Sequence, residues 1–218
     1  SGLSDAGTKV ANSEESNLQI ISLYGKKDQP SAQDLNNVDV IVFDIQDVGV
    51  RYYTYISSLQ KLMEAATNNH KPLIILDRPN PNASYIDGPI LEAKYKSFVG
   101  MQAIPIVYGM TIGEYAKMLV GEKWLDLMPK SKASQLKLTI IPMLNYTHAS
   151  KYQIDIRPSP NLPNMAAIYW YPSLGWFEGT QLSVGRGTEM PFQVLGYPGF
   201  KSEFSFKPMR SCILNSIS

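Results

Sequence analysis

The 218-residue sequence has one cysteine, Cys212, and two histidines, His70 and His148. A single cysteine excludes an internal disulfide, and so few thiol and imidazole groups exclude a thiolate-rich metal site or a histidine cluster. The sequence also lacks a dinucleotide fingerprint, a phosphate loop and the Gly-x-Ser-x-Gly elbow of serine hydrolases. We therefore predict that the protein uses neither a metal ion nor an organic cofactor.

A surplus of basic residues is also missing. Lys and Arg total 20 and Asp and Glu total 19, which gives a formal net charge of +1 at pH 7, so nucleic acid is not expected as a partner. No apolar run approaches the roughly 18 residues of a membrane span, and the polar N-terminus does not resemble a signal peptide. Hydrophobic residues make up 44% and charged residues 18% of the chain, which is typical of a folded globular protein. These features leave the oligomeric state open.

Strand and helix patterns alternate through the first 150 residues. Continuous apolar runs are typical of strands covered on both faces, and apolar residues at helical spacing lie between them. The helix at 111–121 begins with a capping box formed by Thr111 and Glu114. The predicted elements are strand 38–45, helix 53–68, strand 72–76, strand 104–108, helix 111–121 and strand 136–143. This order predicts an α/β fold, a mostly parallel sheet with helices on both faces.

Polar residues that follow these strands are candidate site residues, because ligands of parallel sheets bind outside the carboxyl ends of the strands. The first group follows strand 38–45 and contains Asp44, Gln46, Asp47, Arg51 and Tyr53. The second group follows strand 72–76 on a proline-stiffened loop and contains Asp77, Arg78, Asn80 and Asn82. Both groups also fit structural roles: an acid capping the next helix with Arg51 as its partner, or an Asp–Arg pair holding a turn.

After residue 152 the sequence becomes rich in proline, asparagine and aromatic residues, so residues 1–150 are predicted as one domain and 151–218 as the loop-rich start of a second lobe. Asn161 lies in a proline-stiffened segment, and Glu178 precedes Arg186, which has a glycine on each side. Those glycines fit close approach of a ligand and equally fit a plain turn. The aromatic residues between positions 169 and 177 fit either a sugar-stacking platform or a packed core. His148 is predicted to lie at the surface.

These segments resemble the bacterial exo-β-N-acetylmuramidases, a family formerly catalogued as a domain of unknown function. The resemblance covers about residues 4–198 and is carried by residues 44–57 (DIQDVGVRYYTYIS), 76–82 (LDRPNPN), 85–91 (YIDGPIL), 100–119 (GMQAIPIVYGMTIGEYAKML), 158–165 (PSPNLPNM) and 171–196 (YPSLGWFEGTQLSVGRGTEMPFQVLG). It implies a Rossmann-like domain joined to a smaller C-terminal domain. It also implies a glycosidase of cell wall recycling that acts outside the cytoplasm and releases terminal N-acetylmuramic acid from the non-reducing end of peptidoglycan fragments.

The resemblance also implies roles for the candidate residues. A carboxylate-bearing sugar favours arginine, and its acetamido and hydroxyl groups favour Asn and Asp. Asp47, as base or electrostatic stabiliser, and Glu178 are the expected catalytic carboxylates. The expected substrate-binding residues are Asp44, Gln46, Arg51, Tyr53, Asp77, Arg78, Asn80, Asn82, Asn161 and Arg186.

The sequence departs from the family pattern at both ends and at one internal position. The family's favoured catalytic glutamate, in a Glu-His-Gly-Phe-Arg-Gly stretch, would lie upstream of Ser1, together with the first strand and helix of the Rossmann-like domain. The residues after Phe206 diverge, and Tyr108 stands where many family members have His. A non-catalytic muropeptide- or sugar-binding protein is therefore the alternative prediction.

Overall fold

The computed structural model describes residues 13–15, 18–23, 27–127 and 135–208. The described residues up to Tyr152 belong to one compact unit, and those from Gln153 onward belong to a second, smaller one. The larger unit contains β1 (Ser13–Glu15), β2 (Leu18–Ile20), α1 (Ala32–Leu35), β3 (Ile41–Phe43), α2 (Tyr55–Asn68), β4 (Leu73–Leu76), a 3-10 turn (Ala93–Tyr95), α3 (Ile112–Gly121) and β5 (Leu138–Ile141). The smaller unit contains α4 (Met165–Leu174) and a 3-10 turn (Gly175–Gly179).

Strands β3, β4 and β5 form a parallel sheet in that order. The register aligns Phe43 with Ile75 and Ile75 with Ile140. Helix α2 connects β3 to β4, and α3 lies between β4 and β5. The predicted α/β class is confirmed. Strands β1 and β2 pair only with each other, as a separate antiparallel ribbon.

One face of the parallel sheet forms the core of the larger unit. Parallel connections are right-handed, and both crossovers move the same way along the sheet, so α2 and α3 lie on the same face. The residues buried there include Ile41, Phe43, Leu73 and Ile75 of the strands, Ile56, Leu59 and Met63 of α2, and Ile112, Tyr115 and Leu119 of α3. On the opposite face Val42 is 53% and Ile141 is 48% exposed. Helices were expected on both faces; in the described residues they cover one.

The predicted strand at 104–108 is wrong as a member of the sheet. Pro105 has no N–H to donate to a ladder. The segment instead makes local antiparallel bridges, in which Val107 and Asp87 exchange hydrogen bonds of 2.9 and 3.1 Å. Residues 104–107 therefore brace the long loop after β4 rather than extend the sheet.

The predicted capping box at the start of α3 is confirmed. The Thr111 hydroxyl accepts the Glu114 N–H at 3.2 Å, and the Glu114 carboxylate accepts the Thr111 N–H at 2.8 Å. The same hydroxyl donates to Asp77 Oδ2 at 2.8 Å. Thr111 thus joins the helix start to the loop that follows β4. No described helix is long and apolar enough to cross a membrane.

Replacing Thr111 tests this junction. Thr111→Ala is expected to lower the free energy of unfolding by about 1–2 kcal/mol, because it removes the cap and one donor to Asp77. Chemical denaturation at neutral pH measures the change. Thr111→Ser keeps the hydroxyl and is the control, with a clearly smaller expected loss. Equal losses in both variants would assign the effect to the buried methyl group and contradict the capping role.

Candidate functional site

Three loops meet at the carboxyl ends of the parallel strands, a region named here the carboxyl edge. Residues 44–54 follow β3, residues 77–92 follow β4, and residues 142–152 follow β5. Ligands of open parallel sheets bind at this position. The structure therefore brings the two predicted groups of polar residues together. It adds a third loop whose polar residues, Tyr146 among them, the sequence did not single out as part of a site.

Asn80 links the three loops and is 3% exposed. Its side-chain Nδ2 donates to the Met110 carbonyl oxygen at 2.8 Å, and its Oδ1 accepts the Asn82 N–H at 2.8 Å. The Tyr146 hydroxyl accepts the Asn80 N–H at 3.0 Å and donates to the Asn80 carbonyl oxygen at 2.9 Å. Gly49 lies against the amide: a Cβ there would be 2.1 Å from Oδ1, and its φ is +75°. Only glycine fits this contact.

The neighbouring amides bind backbone in the same way. Asn82 is 1% exposed, and its Nδ2 donates to the Val48 carbonyl oxygen at 2.8 Å. Gln46 Nε2 donates to the carbonyl oxygens of Asp47 and Pro79, both at 2.7 Å. These side chains therefore join the loop after β3 to the loop after β4.

Arg51 is also a buried link between segments. One of its terminal nitrogens donates to the carbonyl oxygens of Pro89, at 2.8 Å, and Ile104. Burial lowers the pKa of the Arg51 guanidinium. Its described hydrogen bonds go to carbonyl oxygens, so the predicted pairing of Arg51 with Asp44 or Asp47 is not formed. Tyr53, two residues further on, packs edge-to-face against Tyr55 with ring centroids 4.8 Å apart.

Asp47 is a buried carboxylate, 4% exposed. Its Oδ2 accepts the Gly49 N–H at 2.6 Å and the Tyr108 hydroxyl, while Oδ1 has no hydrogen-bond partner among the described residues. Burial raises the pKa of Asp47 to about 6, and the bonds from Tyr108 and Gly49 limit the rise. Burial and the adjacent Asp47 raise the pKa of Tyr108 well above its usual value. Tyr108 therefore stays protonated and acts as the donor.

Asp77 caps α3. Its Oδ1 accepts the Gly113 N–H and its Oδ2 accepts the Thr111 hydroxyl, each at 2.8 Å. A carboxylate at this position is stabilised by the helix N-terminus. The sequence left open an Asp–Arg pair within this loop; Arg78 pairs instead with Asp44, across the sheet.

Two ion pairs at the carboxyl edge are exposed. Arg78 Nε lies 2.5 Å from Asp44 Oδ1, with side chains 41% and 43% exposed. His148 Nε2 lies 2.8 Å from Glu114 Oε2, with side chains 48% and 43% exposed, which confirms the predicted surface position of His148. Neither pair takes part in the buried hydrogen bonds around Asn80. Both are available to a ligand.

The smaller unit contains the remaining candidates, Asn161, Glu178 and Arg186. Asn161 is buried. Arg186 Nε lies 2.5 Å from Glu178 Oε1, and its guanidinium stacks 4.9 Å from the centre of the Phe192 ring. Gly185, with φ +81°, allows the chain to pass the Met190 carbonyl oxygen, which a Cβ would approach to 2.6 Å. The glycine at position 185 therefore fits the predicted plain turn in this segment.

The aromatic residues of α4 and the following turn are divided between the two predicted roles. The Tyr171 ring is buried and packs edge-to-face on Phe192 with centroids 4.7 Å apart. Tyr169, Trp170 and Trp176 are 46%, 58% and 52% exposed. Among the described residues, no group of three His, Cys, Asp or Glu side chains has the arrangement needed to hold a metal ion.

Two family models match the chain. The N-terminal model of the exo-β-N-acetylmuramidase NamZ matches residues 1–166, and the C-terminal model of the same enzyme matches residues 169–217. The chain belongs to the NamZ family. A curated member, the peptidoglycan β-N-acetylmuramidase NamZ of Bacillus subtilis (strain 168), is 42% identical over 209 residues. That alignment covers 92% of this chain and 48% of the relative.

Two crystal structures of DUF1343 family proteins from Bacteroides fragilis NCTC 9343 share the fold. One is 51% identical with a TM-score of 0.77 and aligns 83% of this chain with 50% of its own. The other is 38% identical with a TM-score of 0.79 and aligns 88% of this chain with 50% of its own. The chain thus spans about half the length of these NamZ-family relatives.

The buried Asp47 carboxyl predicts a pH-dependent stability. Its pKa rises from 3.8 to about 6 on folding, so the native state holds this proton more tightly than the unfolded state does. Its contribution is therefore largest below pH 4 and is lost as the pH rises to about 6, by up to about 3 kcal/mol. Asp47→Asn removes this loss. Denaturation of both proteins from pH 4 to 7 should show wild type losing stability relative to the variant; a constant difference would contradict the assignment.

Proposed function

We propose that the protein is a glycoside hydrolase that releases terminal N-acetylmuramic acid from the non-reducing end of peptidoglycan fragments. The observation that carries this proposal is the 42% identity to the Bacillus subtilis peptidoglycan β-N-acetylmuramidase across 92% of the chain. The exposed carboxylate and guanidinium groups at the carboxyl edge support a polar, carboxylate-bearing sugar as substrate.

Two carboxyl groups carry out most glycoside hydrolysis, and we assign these roles to Asp47 and Glu178. Both Asp47 oxygens lie below the surface of the loop, so of its two expected roles the electrostatic stabiliser fits better than a base that contacts water or sugar. A pKa of about 6 leaves Asp47 ionised at neutral pH. Its charge then favours the positive charge that develops on the sugar ring. Arg186 Nε lies 2.5 Å from Glu178 Oε1 and holds this carboxylate in position.

The proposal includes a setting for the reaction. We infer a role in cell wall recycling outside the cytoplasm, since the substrate is a fragment of the cell wall polymer. We also infer that the larger unit is Rossmann-like, which the β3-α2-β4-α3-β5 order supports.

Release of N-acetylmuramic acid from a chromogenic β-muramide by the full-length enzyme tests the activity. Asp47→Asn is expected to lower kcat/KM by about 10²–10³-fold, because it removes a charge that stabilises the transition state. Glu178→Gln is expected to lower it by at least about tenfold. Asp39→Asn, at an exposed position, is the control and should retain wild-type rates.

The alternative binding function has a distinct outcome. Calorimetric binding of N-acetylmuramic acid without turnover of any muramide by the wild-type enzyme would replace the hydrolase proposal with a muropeptide-binding protein. Wild-type rates in Asp47→Asn would remove Asp47 from the mechanism and leave the hydrolase proposal in place.

The hydrogen bond from Tyr108 predicts a shifted pH profile. Because this bond lowers the pKa of Asp47, Tyr108→Phe raises that pKa, and the ionised form is reached only at higher pH. The acidic limb of the kcat/KM profile is expected to move up by about one pH unit. Phe preserves the buried ring, so folding is retained. An acidic limb at the wild-type pH would show that another group governs it.

A further inference from the structure

We infer that Arg78 is the residue that recognises the lactyl carboxylate of the terminal N-acetylmuramic acid, with Asp44 as its positioning partner. The inference rests on the proposed function and names the group that selects its substrate. N-acetylmuramic acid carries a lactyl ether on O3, which adds a carboxylate and a methyl group to the N-acetylglucosamine skeleton. A site that selects this sugar needs a cation with free donors beside an apolar surface.

Arg51 does not meet this requirement. It is 9% exposed, and it donates to the carbonyl oxygens of Pro89 and Ile104. Because so little of the side chain is exposed, a substrate carboxylate could reach it only by opening the surrounding loops. Arg51 is therefore a structural link.

Arg186 is engaged by a carboxylate and an aromatic ring. Its Nε lies 2.5 Å from Glu178 Oε1, and its guanidinium plane lies over the Phe192 ring at 4.9 Å. Its partner is a proposed catalytic carboxylate and its guanidinium lies against an aromatic ring, and neither is true of Arg78. Arg186 is therefore placed to hold Glu178 in position.

Arg78 has the required free donors. Asp44 engages only its Nε, at 2.5 Å, and neither terminal amino group of the guanidinium has an acceptor among the described residues. The end of a guanidinium presents two parallel N–H groups that match a carboxylate bidentately. Asp44 fixes the guanidinium from the side and, through this hydrogen bond, raises the pKa of Arg78. The Arg78 side chain is 41% exposed at the carboxyl edge.

An apolar surface adjoins this fork. Leu76 ends β4 two residues before Arg78, and the register places Ile141 directly beside Leu76. Leu76 is 36% and Ile141 48% exposed. The lactyl methyl group can pack on these side chains while the carboxylate binds Arg78. Both parts of the lactyl group thus have partners in one place.

The test compares two chromogenic substrates of the full-length enzyme, the β-muramide and its lactyl methyl ester, which lacks the charge and is larger by one methyl group. Arg78→Gln is expected to lower kcat/KM for the acid by about 30-fold, mainly through KM, and for the ester by less than about threefold. Asp44→Asn should raise KM for the acid by a smaller factor and leave kcat near the wild-type value. Lys94→Gln, which breaks another exposed ion pair at 2.9 Å, should leave both substrates unaffected.

Each result decides the question. Equal losses on acid and ester, or an unchanged KM for the acid in Arg78→Gln, would overturn the inference while leaving the hydrolase proposal intact. If wild type hydrolyses neither substrate, the hydrolase proposal fails. Calorimetry with N-acetylmuramic acid and its methyl ester then tests Arg78 alone, and discrimination that persists in Arg78→Gln would overturn its role.

Discussion

The side-chain amide of Asn80 is the contact on which the carboxyl edge depends. A loop after a strand has few hydrogen bonds of its own, and a buried backbone group without a partner is costly. Asn80 satisfies groups from its own loop and from the segment before α3, and Tyr146 adds the loop after β5. Gly49 lets the loop after β3 approach to van der Waals distance. The polar residues outside this contact are thereby held in fixed positions on a small sheet.

Burial separates the candidate residues into two kinds. Asn80, Asn82 and Arg51 bind backbone carbonyls in the interior, whereas Asp44 and Arg78 keep about two-fifths of their side chains exposed. A side chain whose donors are occupied within the protein supports a site by fixing its shape. An exposed side chain with free donors remains accessible to a ligand. The polar loops of this chain thus contain buried linking residues and exposed residues in adjacent positions.

Much of the larger unit could be predicted from sequence because its signals are local. The apolar periodicity of α2 and the capping box of Thr111 and Glu114 act within a few residues. Partner choice at the site is not local: Arg78 meets Asp44 across 34 residues and Tyr108 meets Asp47 across 61. Such contacts depend on the register of the sheet and the hand of its crossovers. Candidate positions could be named from sequence, but their burial, charge state and partners required the fold.

The four-residue length of β4 has an evolutionary consequence. Directly after this strand, Asp77 caps α3 and Arg78 meets Asp44, which continues the alternation of side chains along β4. One residue inserted or deleted in Leu73–Leu76 would exchange the two, placing a guanidinium against the positive helix terminus and a carboxylate beside Asp44. We expect homologues to vary in length beyond Asn82 and to keep β4 free of insertions and deletions.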